Sequence, residues 1–225
     1  MKNFVAGLTV ATLLGLSSGA ALAATLIDGS TQGLYNAGIG DLNTGGLPFP
    51  CPNSGCGDPT ADFGPGDGAP VTAALAGNVA LGNWLSNPAN PGGSWSAGPV
   101  AIPSSWTVNH ETAIIYAINA GTTGLTNVLA SFGVDNGIFV WLNGTFLGGH
   151  LRPGFAVAGE FELNIGALAK GTHYLQILRE DHGGATDYMV SVTGDPAPVP
   201  LPAAGWLMLA GIGSFAAMRR RRKAA

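Results

Sequence analysis

Charge is scarce in this chain. Asp, Glu, Lys and Arg make up 10% of its 225 residues, against about 25% in an ordinary soluble domain, and basic residues are almost missing from the middle. Between residues 24 and 196 the only Lys or Arg are Arg152, Lys170 and Arg179, whereas all 13 acidic residues lie there. That stretch therefore carries a net charge of about −10 with His neutral. Without a basic patch it cannot neutralise a phosphate backbone, which excludes nucleic acid as a partner; an acidic, soluble surface is expected instead. Cysteine is as rare. Cys51 and Cys56 are the only two, and no further Cys or nearby His completes the four ligands of a structural zinc site. The Gly-x-Ser-x-Gly elbow, the His-Glu-x-x-His helix and the Gly-rich phosphate loop are all missing, which removes three common enzyme signatures. The length excludes a large multidomain enzyme. With 36 Gly and 15 Pro the chain stays just under the roughly 25–30% of low-complexity disorder, so one folded, turn-rich domain is expected.

What is present begins at the two ends. Lys2 and Asn3 give a basic start, Phe4 to Leu16 is an apolar run, and Ala21-Leu22-Ala23 supplies a small-x-small cleavage pattern; residues 1–23 read as a secretory signal peptide, with the mature chain starting at Ala24. At the other end, Pro196, Pro198, Pro200 and Pro202 form a linker over 196–202. An apolar helix follows at 203–218, and then the basic tail 219–225 with Arg219, Arg220, Arg221, Arg222 and Lys223. Counted from Leu201, the uncharged stretch is 18 residues, within the ~17–25 that cross a bilayer. The five cations act as a membrane stop on the cytoplasmic side, which leaves the main domain outside. Each proline disfavours helix in the residue before it, so the linker is expected to be extended, and Pro202 can open the helix at its first turn.

Val199-Pro200-Leu201-Pro202-Ala203, the apolar helix and the Arg cluster together resemble the PEP-CTERM sorting signal in its VPLPA variant, found on surface proteins of Gram-negative bacteria. The resemblance covers about the last 27 residues, and it lies in three parts in order rather than in five residues alone. It implies processing near Val199–Ala203 by an exosortase and transfer of the protein to the cell surface or extracellular matrix. Such proteins tend to occur in bacteria that make exopolysaccharide and biofilm.

Cys51 and Cys56, separated by Pro52-Asn53-Ser54-Gly55, read as a local disulfide formed in an oxidising compartment, stapling a Gly/Pro-rich loop. Asp41, Asp58, Asp62 and Asp67 sit among Gly and Pro, where clustered carboxylates can hold calcium. The Asp-x-Asp-x-Asp-Gly spacing of a calcium loop is lacking, so a solvated acidic loop is the plainer reading, and no cofactor is expected. Residues 24–104 are otherwise hard to read: Asn78 to Leu85 suits either a strand or a helix. From 105 to 195 strands are expected at Trp106–Asn109, Thr112–Asn119, Thr126–Phe132, Ile138–Leu142, Thr145–Leu147, Glu160–Ile165, His173–Glu180 and Asp187–Thr193. Asn143-Gly144 is the hairpin signal, since both turn positions take positive φ. Phe161, Leu163 and Ile165 alternate with Glu160, Glu162 and Asn164, one face buried and one wet. The whole predicts an all-β sandwich or jelly roll.

Asp135-Asn136-Gly137, Val140-Trp141-Leu142-Asn143-Gly144, Phe161-Glu162-Leu163 and the run from Leu168 to Ile177 resemble the sugar-binding jelly roll of galactose-binding-like domains. The order is also similar to the PA14 β-barrel, whose adjacent aspartates hold calcium; here Asn136 takes the second position. The resemblance implies an extracellular polysaccharide as partner. Candidate ligand-binding residues are Asp135 and Asn136 before the hairpin, His150 and Arg152 after it, and Asp181, His182 and Asp187 in the Gly-rich turn between the last strands. Taken singly, Asp181 and His182 are more readily turn caps beside Gly183-Gly184, and Arg152 a partner of an acidic neighbour. Trp84, Trp95, Trp106 and Trp141 read as core. A hydrolase needs two carboxylates flanking a bond; Glu111, Glu160, Glu162 and Glu180 are available, but two of these lie on a wet sheet face. A non-catalytic carbohydrate-binding protein is the expected function, with a structural or adhesive matrix protein as the alternative and a glycoside hydrolase behind both.

Overall fold

Alternating apolar residues set the architecture. A computed structural model describes residues 23–42, 46–49 and 59–198. Residues 1–22 of the signal segment, Cys51, Cys56, Asp58, the Val199–Ala203 motif, the apolar helix 203–218 and the Arg219–Lys223 cluster lie outside the described residues. The elements are strands β1 (Ala24–Ile27), β2 (Gln32–Gly40) and β3 (Ala61–Phe63), helix α1 (Gly68–Leu75), and strands β4 (Val100–Ala101), β5 (Glu111–Asn119), β6 (Leu125–Leu142), β7 (Thr145–Arg152), β8 (Phe161–Leu168), β9 (Thr172–Glu180) and β10 (Asp187–Pro196). Among the described residues no helix is long and apolar enough to cross a membrane.

All strand pairs are antiparallel, in the order β1-β10-β6-β9-β5-β2-β4, with β7 and β8 also on β6 and β3 on β7. The 18-residue β6 organises the sheet by changing partners midway. Its first half lies between β10 and β8, and its second half between β9 and β7. The sheet therefore curls into a half-barrel, and the chain is all-β in class.

Two apolar layers hold it. Inside the curl, Ile114, Tyr116 and Ile118 of β5 meet Ile138 and Val140 of β6, Leu175 and Ile177 of β9 and Val190 and Val192 of β10. The alternate residues of the same strands, Ala113, Ile115, Phe139, Trp141 and Leu178, face outward and are buried all the same, under Phe49, Val71, Leu81 and Trp84. Phe49 and residues 61–95 thus form much of the cover on the outer face of β5, β9 and β6, while β1, β2 and β4 belong to the sheet itself. Fully burying each large apolar side chain contributes about 1.5–3 kcal/mol. Polar links pin the cover: Asn36 Nδ2 donates to the Ala80 carbonyl at 2.6 Å, Gln176 Nε2 to that of Trp84 at 2.6 Å, and Trp95 Nε1 to that of Leu81 at 3.1 Å.

The β6–β7 hairpin turns on Asn143 and Gly144 with φ of 50° and 80°, the left-handed pair its sequence requires. Three expectations need correction. Trp106–Asn109 is not a strand: the Trp106 amide donates to Thr186 Oγ1 and its indole to the His110 carbonyl, and Asn109 has a φ of 60°, so the segment turns over the barrel mouth instead of joining a ladder. Residues 126–132 and 138–142 are one strand, β6. Residues 78–85 form successive turns, with Leu81 N bonding Asn78 O and Trp84 N bonding Leu81 O, neither strand nor helix.

Candidate functional site

The partner change in β6 falls at Asp135–Gly137, and it gathers the site. Asp135 pairs with Asp187 of β10, Asn136 with Arg152 of β7, Gly137 with Glu180 of β9, and Ile138 with His150 of β7. All seven candidate residues thus stand around one point of the sheet. Two connections leave from that point, β7–β8 and β9–β10, so topology brings their tips to either side of Asp135 and Asn136. Between them is an open hollow of about 340 Å³, walled by Asp135 and Asn136, by Gly154 and Phe155 of one loop, and by residues 183–185 of the other. The Asp135–Asn136 peptide is cis.

The seven residues take different roles. Asp135 and Asn136 are 4% and 3% exposed, with Asn136 Nδ2 donating to Asp135 Oδ1 at 2.8 Å and Asn136 Oδ1 accepting from the His182 amide at 3.4 Å. This fixes which face of the amide meets the neighbouring loop. Asp181 Oδ2 accepts from the Gly183 amide at 3.3 Å and from the Asn109 amide, so it caps the loop rather than pointing into the hollow. His182 turns inward, its Nδ1 2.8 Å from Glu180 Oε1. Asp187 Oδ1 accepts from the Tyr188 amide at 2.8 Å. His150 is buried and stacks parallel to Phe161 with ring centres 5.4 Å apart. Arginine only donates, so the 3.1 Å contact of Arg152 Nε with His150 Nε2 leaves that nitrogen bare and puts the proton on Nδ1, which donates to Asp62 Oδ1 at 2.6 Å. Asp62 is therefore engaged with His150, and Asp67 Oδ2 takes the Gly64 amide at 2.7 Å. Among the described residues, no three His, Cys, Asp or Glu are grouped to hold a metal ion.

Phe155 escaped the sequence reading. Its side chain is 82% exposed on the rim of the hollow, and Val157 of the same loop is 59% exposed. The signal was present in Pro153-Gly154-Phe155-Ala156-Val157, an apolar run in a segment with no strand to bury it. Trp84 and Trp141, by contrast, are core, packed edge to face at 5.2 Å.

Three ionisable groups behind the site are buried. Arg179, at 0% exposure, packs its guanidinium 4.1 Å from the centre of the Trp106 ring, 4.9 Å from that of Tyr188 and 5.5 Å from that of Tyr35. It donates to Thr112 Oγ1 at 2.9 Å and the Pro103 carbonyl at 2.8 Å; burial pushes its pKa below the ordinary value. Glu111 and Glu180 lie one residue beyond the Thr112–Arg179 register pair, at 2% and 1% exposure. Burial first, and then the charges of Glu180 and Asp41, raise the Glu111 carboxyl to about 8, against a bond from the Leu42 amide that favours its ionised form.

Comparison with protein-family models, with curated proteins and with solved structures finds no match to this chain.

Proposed function

We propose that the chain is an exported, exosortase-processed surface or extracellular-matrix protein of a Gram-negative bacterium, whose β domain, a jelly roll of the galactose-binding-like kind, binds exopolysaccharide without cleaving it. The observation that carries the binding reading is Phe155. A phenyl ring left in water forgoes roughly 2 kcal/mol of burial, and here it stands beside a carboxylate and an amide in a hollow between two loops. The C–H face of a sugar ring covers such a phenyl while its hydroxyls take the polar groups. Export rests on the signal pattern of residues 1–23, and processing on Val199–Ala203 with the apolar and basic segments behind it. The non-catalytic reading rests on the enclosure of Glu111 and Glu180 and on Glu160, whose Oε1 is taken by the Val134 amide at 2.7 Å.

Calorimetric titration of the purified full chain with bacterial exopolysaccharides, with calcium and then with chelator, tests this. Saturable binding is expected. Phe155→Ala should weaken it at least about tenfold and leave the free energy of unfolding within about 0.5 kcal/mol of wild type, because the ring faces solvent. Absence of binding to every polysaccharide by a folded protein would instead favour an adhesive matrix role through protein contacts.

A further inference from the structure

A second depression lies on the outer face of the sheet, where two adjoining hollows of about 350 and 250 Å³ share Leu34, Ala89 and Ala97 and make one groove. Ala117 of β5 and Tyr174 of β9 line the first hollow with Pro88 and Pro99, and Trp95 lines the second. Among the described residues, none that lines the groove is charged, although the stretch from 24 to 196 carries a net charge of about −10. A charged ligand finds no counter-charge there. An uncharged, extended and largely apolar chain finds walls of its own kind.

The segment that follows β10 has that character: Pro196, Pro198, Pro200 and Pro202 alternate with Ala197, Val199 and Leu201, without a charge. The chain also leaves the domain beside the groove. The Ala197 amide donates to the Gly124 carbonyl at 3.0 Å, and the Gly124 amide to that of Ala120 at 3.0 Å, in the turn that follows β5. Ala117 precedes that turn on β5 and pairs with Tyr174. The path from Ala197 to Ala117 is thus two hydrogen-bonded steps and three strand residues, at most about 20 Å. An extended run from 198 to 203 reaches about 19 Å at ~3.1 Å per residue. A polyproline segment needs no backbone partners and gives up little entropy on docking, which suits it to an aromatic-lined groove. We propose that the groove seats this chain's own segment 199–202, with the rings of Pro200 and Pro202 against Tyr174 and the flanking prolines. Tyr174 stands at the other end of β9 from Glu180, so a seated segment leaves the hollow beside Phe155 free. Seating also closes the segment to a processing enzyme, a consequence that rests on the sorting reading of Val199–Ala203 above.

The test is titration of the full chain with a synthetic peptide of residues 196–203. In the wild type the tethered segment competes at an effective concentration on the order of millimolar. The free peptide is therefore expected to bind on the order of tenfold more weakly to the wild type than to the full chain carrying Pro200→Ser and Pro202→Ser, which frees the groove without altering the β domain. Tyr174→Ala in that doubly substituted chain should abolish the peptide's binding. If Tyr174→Ala fails to fold, the first comparison decides alone. Equal affinity for the wild-type and doubly substituted chains overturns the proposal, and so does absence of binding to the latter. Binding unchanged by a folded Tyr174→Ala variant overturns it as well. A neutral oligosaccharide that binds the doubly substituted chain where the peptide does not, and is lost with Tyr174→Ala, would give the groove to a glycan instead. No processing enzyme takes part in these titrations, so each of the overturning results leaves the sorting reading standing.

Discussion

Replacing Arg179 with alanine should lower the stability of the domain by about 3–5 kcal/mol, the combined cost of an orphaned buried acceptor and of the cavity left by a large side chain. The guanidinium is the centre of a junction rather than a surface cation. It joins β5 through Thr112 Oγ1, the 102–110 segment through the Pro103 carbonyl and the Trp106 ring, β2 through Tyr35 and β10 through Tyr188. The alanine variant leaves the Pro103 carbonyl without its donor and a cavity beneath Trp106; the first alone costs about 1–3 kcal/mol and the second adds to it. Arg179→Lys keeps the charge but not the planar fork that reaches Thr112 and Pro103 together, so it should lose about half as much. Arg179→Met keeps most of the volume and should fall between the two. Urea unfolding followed by Trp fluorescence measures all three, and a midpoint unmoved by alanine would mean that the junction is not a stabilising element.

The same junction explains part of what the sequence hides. Trp106-Thr107-Val108-Asn109 has a strand composition, and local propensity favours a ladder; the buried cation 73 residues downstream of Trp106 captures the indole and turns the segment across the barrel mouth. Strands with an alternating pattern were legible because each buries one face: β8, with Phe161, Leu163 and Ile165 inward, is the plain case. In β6 the run from Gly133 to Gly137 imitates a turn. Those glycines instead mark close approaches within a continuous strand. A side chain at Gly133 would lie 2.6 Å from the Val157 carbonyl oxygen, and one at Gly137 would lie 2.6 Å from Glu180 Oε2. Residues 24–104 stayed dark for a different reason. Phe49 and residues 61–95 cover an outer sheet face, held by long-range side-chain links such as Gln176 to Trp84, which leave no period behind. The candidate site was legible as a set of polar residues flanking the last hairpins, since the loops that carry them follow from strand order. Which of them line the hollow was not, because that depends on Asp181 and His182 spending their polar atoms on Asn109, Gly183 and Glu180.

The second large effect is a loss of stability as pH rises, centred on Glu111. Its carboxyl is raised from an ordinary 4.5 to about 8, which means that the folded protein holds a proton there that the unfolded chain releases. Between those two values the folded state binds more protons than the unfolded state, so stability falls by about 1.4 kcal/mol per pH unit. The contribution is fully present below about pH 4.5 and is lost by about pH 8, a total on the order of 3–5 kcal/mol. The groups responsible are identifiable: Asp41 and Glu180 repel the charged form, the Leu42 amide favours it, and enclosure by the cover segment outweighs that bond. Other groups titrate in the same interval, so the difference between wild type and Glu111→Gln isolates this one. Glutamine keeps an oxygen for the Leu42 amide and presents an amide that carries no charge at any pH. The variant should match wild type within about 1 kcal/mol near pH 5 and exceed it by about 3 kcal/mol at pH 8.5. Urea midpoints taken across that range read the difference directly. Parallel curves for the two proteins would show that Glu111 is ionised in the folded state, and that the 39–42 segment opens to water above it.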